Sequence, residues 1–363
     1  RTLDLGRFLD HDTLRSDFGD YALNLPTIEG VASLSQPNEI AYGVPIDVDV
    51  KGLVFYPKAA FDNAGYAVPE TWDQLIGLSH QMVADGRTPW CVAFESGFPF
   101  SGWPGTDIIE SLVLRTSGVG AYDAWTDGEL GFTDEAIVEA AHLADDMYFE
   151  PGFVRVGPEA ISNENFTEQM FNLLQKDRST GAFDPGCWLF FQGDFMMNAG
   201  PPGTTIGGDL DYFLLPPIET NEPSAVIGSV TQSFGLIDRP EIRMFLEYQA
   251  RPEWGQIWAT EPDNGFIAPN QRFDASALEA SDDPSSDVRR RLYLDSRAAL
   301  AAGTFRPDAS DMMSREIGGW LDDPPRQGAF YAGMLDWVDG VRTIDEILAD
   351  IEQERIALEV ESG

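Results

Sequence analysis

Asp47, Asp49 and Lys51 alternate within an otherwise apolar run from Tyr42 to Pro57. In extended backbone, every second side chain shares a face, so two carboxylates and an ammonium stand together. They form either a solvated edge or a polar cluster where buried strands cross between two lobes and face a cleft. A second group is Glu95-Ser96-Gly97-Phe98-Pro99-Phe100-Ser101-Gly102-Trp103-Pro104-Gly105-Thr106-Asp107, where three rings lie between two acids. Carboxylates accept hydrogen bonds from paired hydroxyls, and ring faces cover apolar C–H surfaces, which is the chemistry needed to hold a sugar. The competing reading packs Phe100 and Trp103 against the helix that follows and leaves Asp107 at its positive end. Trp188, Asp311, and Tyr331 beside Phe330 are further loop or helix-start candidates. Trp188 is either a site aromatic or core filler, and Tyr331 either stacks on a ligand or caps the core.

Catalytic signatures are missing. The chain has no Gly-x-x-x-x-Gly-Lys phosphate loop, dinucleotide fingerprint or Gly-x-Ser-x-Gly elbow. Glycan hydrolysis needs only two carboxylates, so Glu95 with Asp107 or Asp47 is the alternative, enzymatic reading. No cofactor is expected. The only cysteines are Cys91 and Cys187, and His11, His80 and His142 are near neither in sequence, which disfavours zinc. The pair is a disulfide, two buried thiols or half a metal site. The disulfide is preferred; it would close a loop of roughly a hundred residues, stabilise by about 4 kcal/mol and require an oxidising compartment.

The 363 residues suffice for two domains with large cores, and 43% apolar with 12% aromatic content fits a folded protein. No apolar run reaches the roughly 18 residues of a spanning helix. With 61 acidic against 23 basic residues the net charge is −38, which argues against nucleic acid or anionic lipid as a partner. The acids are spread along the whole chain, so adaptation to high salt is preferred over capture of a cationic ligand. Arg1 is not an initiator, so a processed chain or a fragment is expected.

Strands and helices alternate, which indicates α/β layers. Thr71 and Gln74 form a capping box for a helix over Glu70–Gly86. Trp90–Phe94 reads as a buried strand, with helices from Thr106 and over Thr133–Glu150. Strands are expected at Asp209–Leu215 and Ser233–Ile237, with helices opening at Pro240, Pro252 and Thr343. The acidic, serine-rich stretch Ala275–Asp287 is expected to be a mobile surface loop.

Several blocks, in order, resemble the extracellular solute-binding proteins of ABC sugar importers, the alpha-glucoside and maltose type. They are Tyr42–Tyr56 with Pro69-Glu70-Thr71-Trp72; Thr88–Cys91 with Glu95–Gly97; Gly102–Pro104 with Thr106-Asp107; and Pro185–Trp188. Tyr212–Pro217, the Gly265–Asn270 turn, Ser310–Met313 and Phe330–Trp337 follow. The resemblance implies a two-lobed periplasmic-binding-protein-like α/β fold of class II, closing on ligand by hinge motion. Residues 1–49 and 232–310 would form the amino-terminal lobe, and 50–231 with 311–363 the carboxy-terminal lobe. It further implies a non-catalytic, monomeric component that delivers sugar to the membrane subunits of a permease. Carried over by resemblance, the ligand contacts are Asp47, Asp49, Lys51, Glu95, Phe98, Trp103, Asp107, Trp188, Asp311 and Tyr331. Tyr331 stands where many relatives carry tryptophan. The amino-terminal lobe is expected to be truncated, and a periplasmic or extracellular location, with a lipid anchor upstream of Arg1 left open, is implied.

Overall fold

The computed structural model describes residues 3–24, 43–155, 157–219, 225–259, 267–278 and 284–362. Tyr42, Gly265, Phe266 and residues 279–283 of the expected surface loop lie outside the described residues. The chain divides into two compact units, Arg1–Val50 with Gly228–Pro307, and Lys51–Ile227 with Asp308–Gly363. Val50, residues 228–231 and Asp308–Ser310 thus fall on the opposite side of the boundaries read from sequence. For Asp308–Ser310 the reason is local: backbone N–H groups of Ala309 and Ser310 donate to Glu110, deep in the second unit.

Six strands, β1 (Gly43–Lys51), β2 (Leu53–Pro57), β3 (Phe190–Gln192), β4 (Leu210–Leu214), β5 (Val226–Phe234) and β6 (Phe305–Arg306), make two three-stranded sheets. The first unit carries the order β1-β5-β6. Its helices include His11–Asn24, Pro240–Gln249, Pro252–Ala259 and Pro284–Ala302. Three of these open on proline, whose missing N–H is no loss in a first turn. Leu5, Leu14, Phe18, Val44, Leu246 and Ala250 form a small core. Helical structure at Ala275–Leu278 and from Pro284 onward replaces most of the expected loop. β5 begins earlier than the expected Ser233–Ile237 and ends at Phe234, leaving Leu236 and Ile237 exposed.

The second unit carries β3-β2-β4, with Val54 paired antiparallel to both Phe191 and Phe213. All five residues of the central β2 are buried, as a continuous apolar run covered on both faces should be. Thr71 caps the Trp72–Ala84 helix by accepting from Gln74 N, while the Gln74 side chain accepts from Glu70 N. The span Trp90–Phe94 is buried but makes only an isolated bridge pattern, Trp90 lying between Val154 and Leu189. Cys91 and Cys187 are joined in a disulfide. The helix Trp103–Thr116 begins ahead of the expected Thr106, because Pro104 suits a first turn. Every residue from Pro104 to Arg115 is buried. A helix covered all round must satisfy its polar side chains inside the protein, and Asp107, Glu110 and Arg115 each find partners from other parts of the chain or its own backbone.

Candidate functional site

Asp107 and Glu110 are three residues apart on the buried helix, hence on one face. Lys51, the last residue of β1, points its ammonium at this face. Its Nζ donates to Asp107 Oδ1 at 3.0 Å and lies 3.0 Å from Asp308 Oδ1, a charge contact without a completed hydrogen bond. Glu110 meets the turn after Asp308: Oε2 accepts from Ala309 N at 3.0 Å and Oε1 from Ser310 N at 3.1 Å. That bidentate grip fixes the short helix Ala309–Met312 and with it Asp311. Arg115, one turn further along, donates to the carbonyls of Ser111, Leu215 and Ala225, and burial lowers its pKa to about 9.

The charges do not balance. Asp107, Glu110, Asp308 and Asp311 surround one ammonium. Burial opposes the charged form of Lys51, but Asp107, Asp308, Asp311 and Glu110 outweigh it and hold its pKa well above the ordinary value. Burial pushes Asp107 up to about 7, with Lys51 opposing and Asp308 adding. Burial and the neighbouring Asp308 and Asp107 raise Glu110 well above the usual range. Asp311, which still meets solvent, rises to about 6 by desolvation and the charge of Asp308. Asp107 therefore titrates near neutral pH and Asp311 about a unit below it. Asp107, Glu110 and Asp308 bring one oxygen each within 4.8 Å of one another, close enough for a cation, but the Lys51 ammonium already supplies positive charge there.

Aromatic surface adjoins this charge. The Lys51 Nζ lies 5.2 Å from the centroid of Trp103. The indole N–H of Trp103 donates to Ser96 Oγ, and its ring meets Phe166 and Phe195 edge-on at 5.1 and 6.0 Å. Glu95 anchors the loop, accepting from Gly97 N at 2.7 Å and from Asn165 Nδ2 at 2.7 Å. Gly102 closes it at φ 106°, where an added Cβ would stand 2.3 Å from the Tyr331 carbonyl oxygen. An ammonium, carboxylates and a ring face in one group suit recognition of a small hydroxyl-rich molecule.

Residues 10–236 match the bacterial extracellular solute-binding protein family. The chain belongs to that family. It is 32% identical over 308 residues to the alpha-glucosides-binding periplasmic protein AglE of Rhizobium meliloti (strain 1021), covering 84% of this chain and 61% of AglE. It is 28% identical over 338 residues to the osmoprotective compounds-binding protein GgtB of Synechocystis sp. (strain ATCC 27184 / PCC 6803 / Kazusa), covering 93% of this chain and 71% of GgtB. Among solved structures, a chitin oligosaccharide binding protein superposes with a TM-score of 0.72 at 17% identity, over all of this chain and 80% of that one. The fold is thus the two-lobed α/β fold of these proteins, and the relatives are binding proteins rather than enzymes.

Within this solute-binding protein, Lys51, Asp107, Asp311 and Trp103 gather in the second unit, with Glu95 and Tyr331 supporting the same loop. Asp107 is engaged by Lys51, so its partner is a side chain and not merely the helix end. The Tyr331 ring is buried, and burial together with Asp311 raises its pKa. Phe98 stands at 69% exposure on the loop. Trp188 is placed elsewhere: it is buried, edge-on to Tyr66 at 5.6 Å and under the Arg87 guanidinium at 4.3 Å. Asp47 and Asp49 belong to the first unit. Asp47 Oδ1 accepts from Val48 N and Ile267 N, and burial with the adjacent Asp49 lifts its pKa to about 8. Asp49 Oδ2 accepts from the hydroxyls of Ser229 and Thr231. The sequence reading missed Glu110, although its helical spacing from Asp107 was a usable signal. Asp308 reaches the cluster only through the fold, and no local pattern marks it.

Proposed function

We propose that this protein is the extracytoplasmic carbohydrate-binding component of an ABC importer, taking a mono- or oligosaccharide of the alpha-glucoside class and passing it to membrane permease subunits. The observation that carries this reading is the Lys51 ammonium set 5.2 Å from the Trp103 ring and 3.0 Å from the carboxylates of Asp107 and Asp308, with Asp311 open to solvent. A stacked ring and charged acceptors and donors are what a pyranose needs. The similarity to AglE supports the alpha-glucoside class. Asp47 and Asp49 on the first unit, and Glu95, Phe98 and Tyr331 on the second, are further proposed contacts. Trp188 is the weakest of the set, since its ring is already packed.

A second reading, a binding protein for a polyol or another small solute, is favoured by the similarity to GgtB. Calorimetric titration with glucose, maltose, trehalose, sucrose and the acyclic polyol sorbitol, run beside a product assay, separates the two. Saturable binding of a glucoside without turnover is expected, and Trp103→Ala should weaken it at least tenfold. Binding confined to sorbitol would favour the second reading. Turnover lost in Glu95→Gln would overturn both.

A further inference from the structure

Trp103 is not the end of the aromatic surface. Two short strands, β7 (Trp320–Asp322) and β8 (Pro325–Gln327), form a hairpin in the second unit. Its Trp320 ring meets Phe100, from the same loop as Trp103, edge-on at 4.9 Å. The hairpin is tied to the site at both roots. Gly318 runs so close to the Ser310 carbonyl that an added Cβ would lie 1.9 Å from its oxygen, so the hairpin leaves directly from the Ser310–Asp311 turn. On the return strand, the Gln327 side chain donates to the Ser101 carbonyl, fastening the hairpin to the ring-bearing loop. The Arg315 guanidinium lies 5.5 Å from the Trp320 ring centroid and bridges to Asp322 across the same hairpin.

Phe100 remains 42% exposed and Phe98 69% exposed although both sit on a loop fixed by hydrogen bonds. Each such ring could have buried its surface for about 1.5–3 kcal/mol. Ring surface that a fixed loop keeps in water, beside the half-buried Trp320, marks a place where something binds.

We infer that Phe100 and Trp320 form a second stacking platform, so that the ligand is an oligosaccharide with at least one ring beyond the one held at Trp103. This rests on the carbohydrate-binding reading above. A polyol or monosaccharide would have no ring to place on it. The hairpin holds the platform before ligand arrives, so a longer ligand gains contact without ordering a loop.

The test is calorimetric titration of the wild type, Trp320→Ala and Phe100→Ala with glucose, maltose, maltotriose and maltotetraose, and with xylo- and chito-oligosaccharides of the same lengths. Thermal melts of each variant check folding. In the wild type, affinity for one series is expected to rise at least tenfold between its shortest bound member and the trimer. Both substitutions should remove most of that gain while leaving the shortest ligand's affinity within about twofold. Affinity independent of length, or a length gain that survives both substitutions, would overturn the platform and leave the carbohydrate reading standing. Equal loss for short and long ligands would also overturn it, making the pair part of the primary site. Absence of wild-type binding to every sugar would overturn the carbohydrate reading and this inference together.

Discussion

The Lys51 ammonium donates to the Asp107 carboxylate at 3.0 Å across 56 positions of sequence. One group ends a strand and the other sits within a helix buried on every side, so neither can relax toward water without breaking an element. This contact sets the electrostatics of its surroundings, because four carboxylates, Asp107, Asp308, Asp311 and Glu110, act on the Lys51 ammonium and raise its pKa.

Lys51→Met should therefore destabilise by about 3–5 kcal/mol at pH 8, as expected when one partner of a buried pair is removed. The loss should shrink toward pH 5, where Asp107, at about 7, and Asp311, at about 6, take up protons and no longer need a counter-charge. Urea midpoints at the two pH values measure this. A loss equal at both would show that the carboxylates are not coupled to the lysine.

The wild type carries a related pH dependence. Asp107 and Asp311 bind protons more tightly folded than unfolded, so their contribution is greatest below about pH 4 and declines as pH rises toward about 7. Glu110, shifted in the same direction, adds to the decline. Replacing Asp107 with Asn should flatten the fall in melting temperature between pH 5 and 8. A slope unchanged by the substitution would place the proton uptake elsewhere.

Glu110→Ala should cost about 2–4 kcal/mol, because it leaves the backbone N–H groups of Ala309 and Ser310 buried without an acceptor. It should also weaken ligand binding, through the displaced Asp311 turn. Glu110→Gln retains one acceptor and should lose roughly half as much. Chemical denaturation and titration of the same samples give both numbers, and equal behaviour of the two variants would contradict the bidentate role.

Opening the Cys91–Cys187 bridge, which spans 96 positions, should lower stability by about 4 kcal/mol by the loop-closure argument. Urea unfolding of the Cys91→Ser, Cys187→Ser double variant measures it. A change under about 1 kcal/mol would mean that residual structure already confines that loop in the unfolded ensemble.

A net charge of −38 makes like-charge repulsion a general term. The Debye length falls from about 10 Å at 0.1 M salt to about 3 Å at 1 M, so the melting temperature should climb across that range. A flat response would mean that local ion pairs, such as Arg355 with Glu352 and Glu359, already offset the repulsion.

Local chemistry made several elements readable in advance. The Thr71–Gln74 cap, the proline-opened helices at Pro240 and Pro252, and the apolar run of β2 depend on residues within a few positions of one another. The ordered blocks from Tyr42 onward carried the family in the same way, since each is a short stretch of adjacent residues. Alternation could pair Asp47 with Asp49 and Lys51, and helical spacing could have paired Asp107 with Glu110. What no periodicity reveals is that Asp308 returns to Lys51, that Glu110 grips the backbone of Ala309 and Ser310, or that Trp188 packs on Tyr66 and Arg87 instead of joining Trp103. Those outcomes depend on which distant segment fills each space around a helix that has no solvent face. Only the tertiary structure decides that, because burial selects partners by shape and charge and not by nearness along the chain.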